Sequence, residues 1–315
     1  MSVRRHKEHL GAIAATLPNS CGVYLFFGEN PALPLYVGKS VKVRARVRAH
    51  IRAAREARLI RQTRQIEFRP TAGEVGALLL EASLIKQLRP LFNKQLRRNW
   101  DLCSLQFAGD RLCAVHAREV DFSRTPNLFG LYSSRTAALN ALQALADEHH
   151  LCLGRLGLEK VTSGRRCFRA SLGYCGGVCD GRESLAQHDA RLLQALQQIR
   201  VACWPYPGAV AILEQAGAVQ DWHIVQNWCY LGTVPRIEMA SNLARLSPGF
   251  DADGYRILSR SILGGTVAVQ PLPGSAAPDD TAAPRKSIRP AGRAAPPDPN
   301  PTYSSPATPG KSTSV

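Results

Sequence analysis

Nowhere does this 315-residue chain offer the roughly eighteen consecutive apolar residues that a bilayer-spanning helix needs. Acidic residues are also scarce: 24 Asp and Glu stand against 40 Lys and Arg, for a formal net charge of +16. That excess is more than solubility requires and points to an anionic partner, either nucleic acid or an acidic membrane surface. A disulfide framework is lacking too. Nine cysteines, an odd number in a chain of ordinary size, fit a reducing cytoplasm better than an oxidising compartment. The start, "MSVRRHKEHLGAIAATLPNS", is basic, but its apolar stretch is short and interrupted. It reads as a leader helix over 1–17 rather than a secretory signal. No internal repeat is visible. The end, from about Pro271 and with a boundary drawn at 269, is Pro-, Ala-, Ser- and Gly-rich text with almost nothing to bury, and it reads as a disordered tail.

Between these ends the text is informative. "GVYLFF" (22–27) and "LYVG" (35–38) read as strands joined by the Gly-, Asn- and Pro-rich segment 28–34, a hairpin. Alternation puts Tyr24 and Tyr36 on faces opposite their apolar neighbours, so the two phenols share one face of the ladder. Taken alone, they read as strand aromatics covering a small core. From Lys39 to Arg64 ten Lys or Arg accompany a single acid, Glu56. Charge so dense repels itself unless an anion lies opposite. "VKVRARVRAHI" alternates like a strand, yet its residues are good helix formers and no breaker interrupts 40–65. The helix is preferred. It gathers Lys39, Arg46 and His50 in one arc beside an apolar stripe of Val43, Val47 and Ile51.

"RQIEFRP" (64–70) reads as a third strand and "GEVGALLLEASLIKQLRP" (73–90) as a helix. On that helix Glu81 shares the face of Ala77, Leu78, Leu84, Ile85 and Leu88. A carboxylate there is costly unless something meets it. It is either a buried salt bridge with one of the arginines or a single-carboxylate site for Mg²⁺. Asn93 follows twelve residues later, in a turn.

Farther on, Cys152, Cys167, Cys175 and Cys179 form a Cys-x14-Cys-x7-Cys-x3-Cys series in Gly- and Arg-rich text, which suggests a metal-tied segment over buried thiols. Zinc sites favour paired knuckles, and only the last pair fits. Cys21, Cys103, Cys113, Cys203 and Cys229 show no partner pattern and read as buried. A strand and helix within 127–150, a helix over 184–200 and a hairpin around 215–218 complete the pattern. Trp222, Trp228 and Tyr230 read as core before they read as base-stacking platforms.

Together, Gly22-Val-Tyr24, Tyr36-Val-Gly38, Arg46, Glu81 and Asn93 resemble, in order and spacing, the GIY-YIG endonuclease domain. "YVGKSVKVRARV" and "AGEVGALLLEASLIKQLRPLFN" resemble the form found in UvrC-type excinucleases. The short Cho branch is similar over about 18–265, through "CSLQF", "VDFSRTPNLFGLY" and "WCYLG". The resemblance implies phosphodiester hydrolysis by one divalent metal. Glu81 would bind Mg²⁺ or Mn²⁺, and Tyr24 or Tyr36 would position or activate water. Lys39 and Arg46 would lower the phenol pKa, Arg46 would hold the scissile phosphate, and Asn93 would brace the site. His50 stands where many relatives carry tyrosine. Lys42, Arg44, Arg48, His50 and Arg52 would contact DNA, and the outer charges, with Arg55 and Arg58, make sequence-independent phosphate contacts or are simply solvated. The four-cysteine series implies a [4Fe–4S] cluster of structural role.

The expectation is therefore an α+β protein: a GIY-YIG domain over 18–97 with a small three-stranded antiparallel sheet flanked by helices, a connecting segment over 98–150, the cysteine segment over 151–182, an α/β unit over 183–268 and the tail. The chain is expected to end too early for UvrC's second nuclease domain and helix-hairpin-helix module, and it shows no evident UvrB-binding coiled coil. The resemblance then implies one nick, 3′ to a bulky lesion in damaged double-stranded DNA, after UvrA and UvrB load. A non-catalytic DNA-binding protein and a stand-alone structure-specific nuclease are the competing readings. A cytoplasmic protein with no membrane partner is expected.

Overall fold

The computed structural model describes residues 3–93, 102–109, 111–160, 165–244, 246 and 248–273. Helix α1 (Val3–Thr16) precedes strands β1 (Gly22–Phe27) and β2 (Pro34–Ser40). Helix α2 (Val43–Arg52), a 3₁₀ turn (Ala54–Glu56), helix α3 (Ala57–Gln62), strand β3 (Gln65–Pro70) and helix α4 (Glu74–Leu88) follow. The strands form an antiparallel sheet in the order β2-β1-β3.

β1 is buried along its whole length because both faces are covered. Val23, Leu25 and Phe27 pack with Leu84 and Ile85 of α4, whereas Tyr24 and Phe26 pack with Val43, Val47 and Ile51 of α2 and with Leu10 and Ala14 of α1. Burying one such aliphatic or aromatic side chain contributes about 1.5–3 kcal/mol, so α1 is part of this core and not an appendage. The basic segment is helical but not continuous. α2 ends at Arg52, Ala53 turns extended, and the 3₁₀ turn folds Glu56 back beneath His50. Lys39 lies in β2 rather than on the helix, so its side chain points to the sheet face opposite Tyr36.

The second half contains two antiparallel four-stranded sheets. The first joins β4 (Cys103–Ala108), β5 (Arg111–His116), β6 (Leu128–Tyr132) and β7 (Arg200–Val201) in the order β5-β4-β6-β7. It carries α5 (Arg135–Glu148), the short α6 (Phe168–Ser171) and α7 (Leu185–Gln197), which begins with a capping box from Ser184 and Gln187. The second contains β8 (Val210–Ala216), β9 (Val219–Gln226) and β10 (Cys229–Val234), with helices α8 (Ser241–Ala244) and α9 (Ala252–Leu263) and strand β11 (Val269–Pro271), in the order β10-β9-β8-β11. Residues 269–271, read from sequence as the start of the tail, pair with β8, and Leu272 is buried. The remainder of the expected tail, from 274, lies outside the described residues. Trp228 is fully buried between Trp204 and Tyr255, in T-shaped contacts at 5.0 and 5.1 Å. Trp222 and Tyr230 are half-buried in the same unit.

Candidate active site

The first functional cluster forms where β1, β2 and α2 meet. Tyr24 and Tyr36 lie on the same sheet face, their ring centroids 6.2 Å apart. Gly38 pairs with Tyr24 across the ladder, and a Cβ there would sit 2.5 Å from the Tyr24 hydroxyl. Glycine is thus required for the phenol to lie across β2. Tyr24 is buried and Tyr36 is half-buried. The Tyr24 hydroxyl is 2.6 Å from His50 Nε2, and His50 Nδ1 meets the Glu56 carboxylate. With Glu56 accepting the Nδ1 proton, Nε2 is left to accept from Tyr24.

The electrostatics differ from the sequence expectation. Burial pushes Tyr24 far above the usual phenol range, Tyr36 adds to the rise, and hydrogen bonding and charge from Arg46 only partly offset it. Tyr36 is likewise raised, by burial and then by the Glu81 charge. Neither phenol becomes a phenolate by lowered pKa. Lys39 is not placed to help, since its Nζ lies 2.5 Å from Glu74 Oε1 on the other side of the sheet. Burial holds His50 below its usual 6.5, with Glu56 opposing the shift, so the imidazole is neutral at pH 7.

Glu81 is half-buried on α4. One oxygen accepts the Lys39 backbone N–H at 3.1 Å, and among the described residues no ion pair reaches it. The arginine salt bridge open to it on sequence grounds is not made by any arginine among the described residues. Burial raises its carboxyl above the usual range, against the Lys39 N–H bond and the charges of Lys39 and Arg46. A desolvated carboxylate with one oxygen uncommitted suits a hard divalent cation, which takes one or two protein oxygens and keeps its waters. Asn93 binds both polar groups of Val37: its Oδ1 accepts the amide at 2.9 Å and its Nδ2 donates to the carbonyl at 2.8 Å.

Of the expected DNA contacts, Lys42, Arg48 and Arg52 are exposed along α2 and its start. His50 is only 3% exposed and cannot reach a phosphate chain. Arg44 is half-buried and donates from Nε to the Leu17 carbonyl at 2.5 Å, tying down the segment after α1. His50 leaves the DNA-facing set because both of its ring nitrogens are occupied inside the domain, whereas Arg44 has committed its Nε there. Arg58 stacks over Phe92, 5.9 Å from the ring centroid.

The second cluster is sulfur. The Sγ atoms of Cys152, Cys167, Cys175 and Cys179 all lie within 4.8 Å of one another; the first three residues are buried and Cys179 is half-buried. Backbone N–H groups of Ala170, Gly177 and Cys167 donate to Cys167, Cys175 and Cys179 at 3.3, 3.4 and 3.4 Å. Burial pushes the Cys167 thiol up to about 11 and raises Cys152 and Cys175. At Cys179 burial acts the same way but is outweighed by hydrogen bonds from the Cys167 amide and the neighbouring thiols, so its pKa falls. Burial thus disfavours ionisation at three of the four thiols, and a bound metal would reverse that. Sequence reading missed His188, fully buried, whose Nε2 accepts the Cys152 amide at 3.2 Å. Of the remaining cysteines, only Cys103 is buried; Cys113 is exposed and Cys21, Cys203 and Cys229 are half-buried.

Comparison with known proteins divides the chain in three. Residues 20–94 match the UvrC-like GIY-YIG domain, 95–198 the UvrC/Cho excinuclease middle domain, and 209–276 the excinuclease Cho C-terminal domain. The excinuclease cho of Escherichia coli (strain K12) is 52% identical over 271 residues, covering 86% of this chain and 92% of that protein. The UvrABC system protein C of Natronomonas pharaonis is 33% identical over 174 residues, covering 53% of this chain and 29% of its own length. A crystal structure of the GIY-YIG N-terminal endonuclease domain of UvrC from Thermotoga maritima, bound to its catalytic magnesium, is 28% identical, with coverage of 27% of this chain and 97% of that one and a TM-score of 0.26.

Proposed function

The chain belongs to the excinuclease Cho family, and from that membership we propose that it is a divalent-metal-dependent repair endonuclease hydrolysing one phosphodiester 3′ to a bulky lesion in double-stranded DNA, after UvrA and UvrB have marked the site. The observation that carries this reading is the meeting of a Tyr24–His50–Glu56 chain, Tyr36, Arg46 and a Glu81 with no ion pair among the described residues, beside an exposed basic helix face. Acting on genomic DNA, it works in the cytoplasm on this reading. Among the described residues no helix is long and apolar enough to cross a membrane.

Glu81 is the residue that would hold Mg²⁺ or Mn²⁺, which when bound neutralises charge on the phosphate and the leaving oxygen. Arg46, exposed at the site, holds a phosphate oxygen through its planar guanidinium. Both phenols stay neutral, so each accepts a proton only by passing on its own. Tyr36, the more exposed, takes the proton of the attacking water and gives its own to Tyr24. Tyr24 gives its proton to His50 Nε2, and Glu56 stabilises the imidazolium. The water oxygen bonds to phosphorus as the P–O bond to the leaving strand breaks. Asn93 keeps β2, and with it Tyr36 and Gly38, fixed during the step. Lys42, Arg48 and Arg52 hold the backbone without reading sequence.

The four cysteines form a metal centre of structural role. An all-thiolate donor set accommodates the [4Fe–4S] cluster that the resemblance implies. A specific observation favours zinc as a second reading: a single tetrahedral ion with sulfur at about 2.3 Å sets sulfurs about 3.8 Å apart, and the observed cage is within 4.8 Å. Absorbance near 400 nm together with iron, sulfide and zinc analysis separates them.

The test of the main reading is nicking of an end-labelled duplex with one bulky adduct, in Mg²⁺, with and without UvrA and UvrB. A single 3′-side nick that needs UvrB and is lost in Glu81→Ala is expected. UvrB-independent cutting would make the protein a stand-alone nuclease; salt-sensitive DNA binding with no cutting would make it a binding protein.

A further inference from the structure

Helix α4 belongs to two cores at once. Leu84 and Ile85 pack against β1 and β2, while Leu79 is buried with Trp204, Trp228, Leu258 and Ile262 of the C-terminal unit. Its ends are held by that same unit. Gly73, at the N-cap, has no side chain to offer the leading amides, which need acceptors from elsewhere. They find them on the β8–β9 hairpin. Val75 and Gly76 donate to the two Glu214 carboxylate oxygens at 2.9 and 2.7 Å, and Ala72 donates to Asp221 Oδ2 at 2.7 Å. Glu214 and Asp221 are cross-strand partners.

Glu214 is itself aimed. Its Oε2 lies 3.0 Å from Nε2 of the buried His223, whose Nδ1 is 2.8 Å from the Thr233 hydroxyl. Burial alone would raise the Glu214 carboxyl, but hydrogen bonds from His223, Gly76 and Val75 outweigh it and hold the group below its usual range. The helix has made room for this contact. A Cβ on Gly73 would lie 2.2 Å from Glu214 Oε1, and one on Gly76 would lie 2.5 Å from His223 Cε1. Gly76 has no reason to interrupt a helix otherwise, since alanine is the better helix former. At the opposite end Lys86 Nζ sits 2.5 Å from Asp251 Oδ1 and 2.9 Å from Asp253 Oδ2, where α9 starts. Glu81 lies midway, five residues from Gly76 and five from Lys86.

We propose that Glu214, oriented by His223, is a positioning residue for Glu81. The C-terminal unit fixes the rotation and axial height of α4, and so sets where the metal carboxylate stands relative to Tyr36 and Arg46. The inference rests on the nuclease reading above. A rigid helix transmits a displacement at its first turn directly to a residue less than two turns away, and misplacement by about 1 Å costs on the order of a hundredfold in rate. The C-terminal unit therefore acts as a part of the active site without touching substrate.

The experiment measures Mn²⁺ binding by electron paramagnetic resonance on the full-length protein without DNA, alongside the Mg²⁺ concentration giving half-maximal single-turnover nicking. Melting temperatures in EDTA are recorded in parallel. Glu214→Gln is isosteric and keeps one acceptor; Gly76→Ala improves helix propensity but obstructs the seat. Both are expected to weaken Mn²⁺ binding and shift the Mg²⁺ midpoint roughly 10–100-fold, as loss of a supporting shell does elsewhere. A merely structural role would lower the melting temperature and the active fraction while leaving both midpoints in place, and that result overturns the proposal. If Glu81→Gln binds Mn²⁺ like wild type, both the nuclease reading and the clamp fall. If Glu81→Gln abolishes binding and the two clamp variants bind like wild type, the clamp alone falls.

Discussion

Glu81→Gln should make the metal-free protein more stable and the metal-loaded protein less so. The glutamine keeps an oxygen for the Lys39 N–H, which Glu81 accepts at 3.1 Å, so no backbone donor is orphaned. It removes a charge that burial disfavours: the Glu81 carboxyl is held above its usual range chiefly by desolvation. A folded state that binds the proton more tightly than the unfolded chain gains from this group as pH falls through the raised pKa toward the unfolded value. Above the raised pKa the fold bears a cost of about 1.4 kcal/mol for each tenfold by which burial weakens the acid. Glutamine escapes that cost at pH 7.5. Mg²⁺ reverses the order. At a concentration about a hundredfold above its dissociation constant, a ligand bound only by the folded state adds about 2.7 kcal/mol, or roughly 5–11 °C for a folded unit of this size. The variant should gain none of it. Thermal unfolding in EDTA and in Mg²⁺ is the assay. The reasoning is refuted if Glu81→Gln melts below wild type in EDTA and both proteins respond equally to Mg²⁺, because Glu81 would then be a structural group with no metal.

Asn93→Ala strips both hydrogen bonds from Val37; at about 0.5–1.5 kcal/mol each, urea unfolding should report a loss of about 1–3 kcal/mol, with slower nicking. His50→Gln retains an acceptor for the Tyr24 hydroxyl but cannot take its proton, so single-turnover nicking should fall roughly 10²–10⁴-fold. Because burial depresses the His50 pKa, the wild-type rate should hold as pH drops through 6.5 and decline only below it, and that acid limb should vanish in the variant. Stability should move the same way with pH, since a buried neutral imidazole favours the fold above about 6.5 and forfeits that contribution as pH falls toward the depressed value. Cys175→Ser should lose the thiolate-bound metal by elemental analysis and lower the melting temperature, while Mn²⁺ binding at Glu81 stays as in wild type.

Much of the nuclease centre is legible in the residues. The alternation in GVYLFF and LYVG places Tyr24 and Tyr36 on one face, and the stripe of Val43, Val47 and Ile51 fixes the buried side of α2. Two expectations fail at boundaries. Lys39 does not continue onto the helix, because β2 runs to Ser40 and turns it toward Glu74. The return of Glu56 to His50 depends on a break at Ala53 that no Pro or Gly announces. The supports of α4 are hidden for another reason. Nothing in AILEQ says that Glu214 caps a helix 139 residues earlier; the one available sign is a glycine, Gly76, standing inside otherwise strong helix text. The β4–β5 hairpin does have a local signature, Gly109-Asp110 between two alternating runs, which falls in the gap between the stretches CSLQF and VDFSRTPNLFGLY that carry the resemblance.

The pairing of Asn93 with Val37 also bears on how open the sheet edge is to another chain. β2 is an outer strand, and an outer strand carries a row of unspent amides and carbonyls on which another chain can add itself. Here the Phe92 amide donates to the Leu35 carbonyl at 2.9 Å, and the Asn93 carboxamide fills both positions at Val37. A two-residue stretch thus stands where a fourth strand would dock. The opposite edge is blunted differently: β3 carries Glu67 and Arg69 and ends on Pro70, which has no N–H to give. One margin of the three-stranded sheet is thus covered by the segment that carries Asn93, and the other presents charged side chains and a terminal proline. Loss of Asn93 should therefore raise the protein's tendency to self-associate relative to the intact chain, as sedimentation at matched concentrations would report.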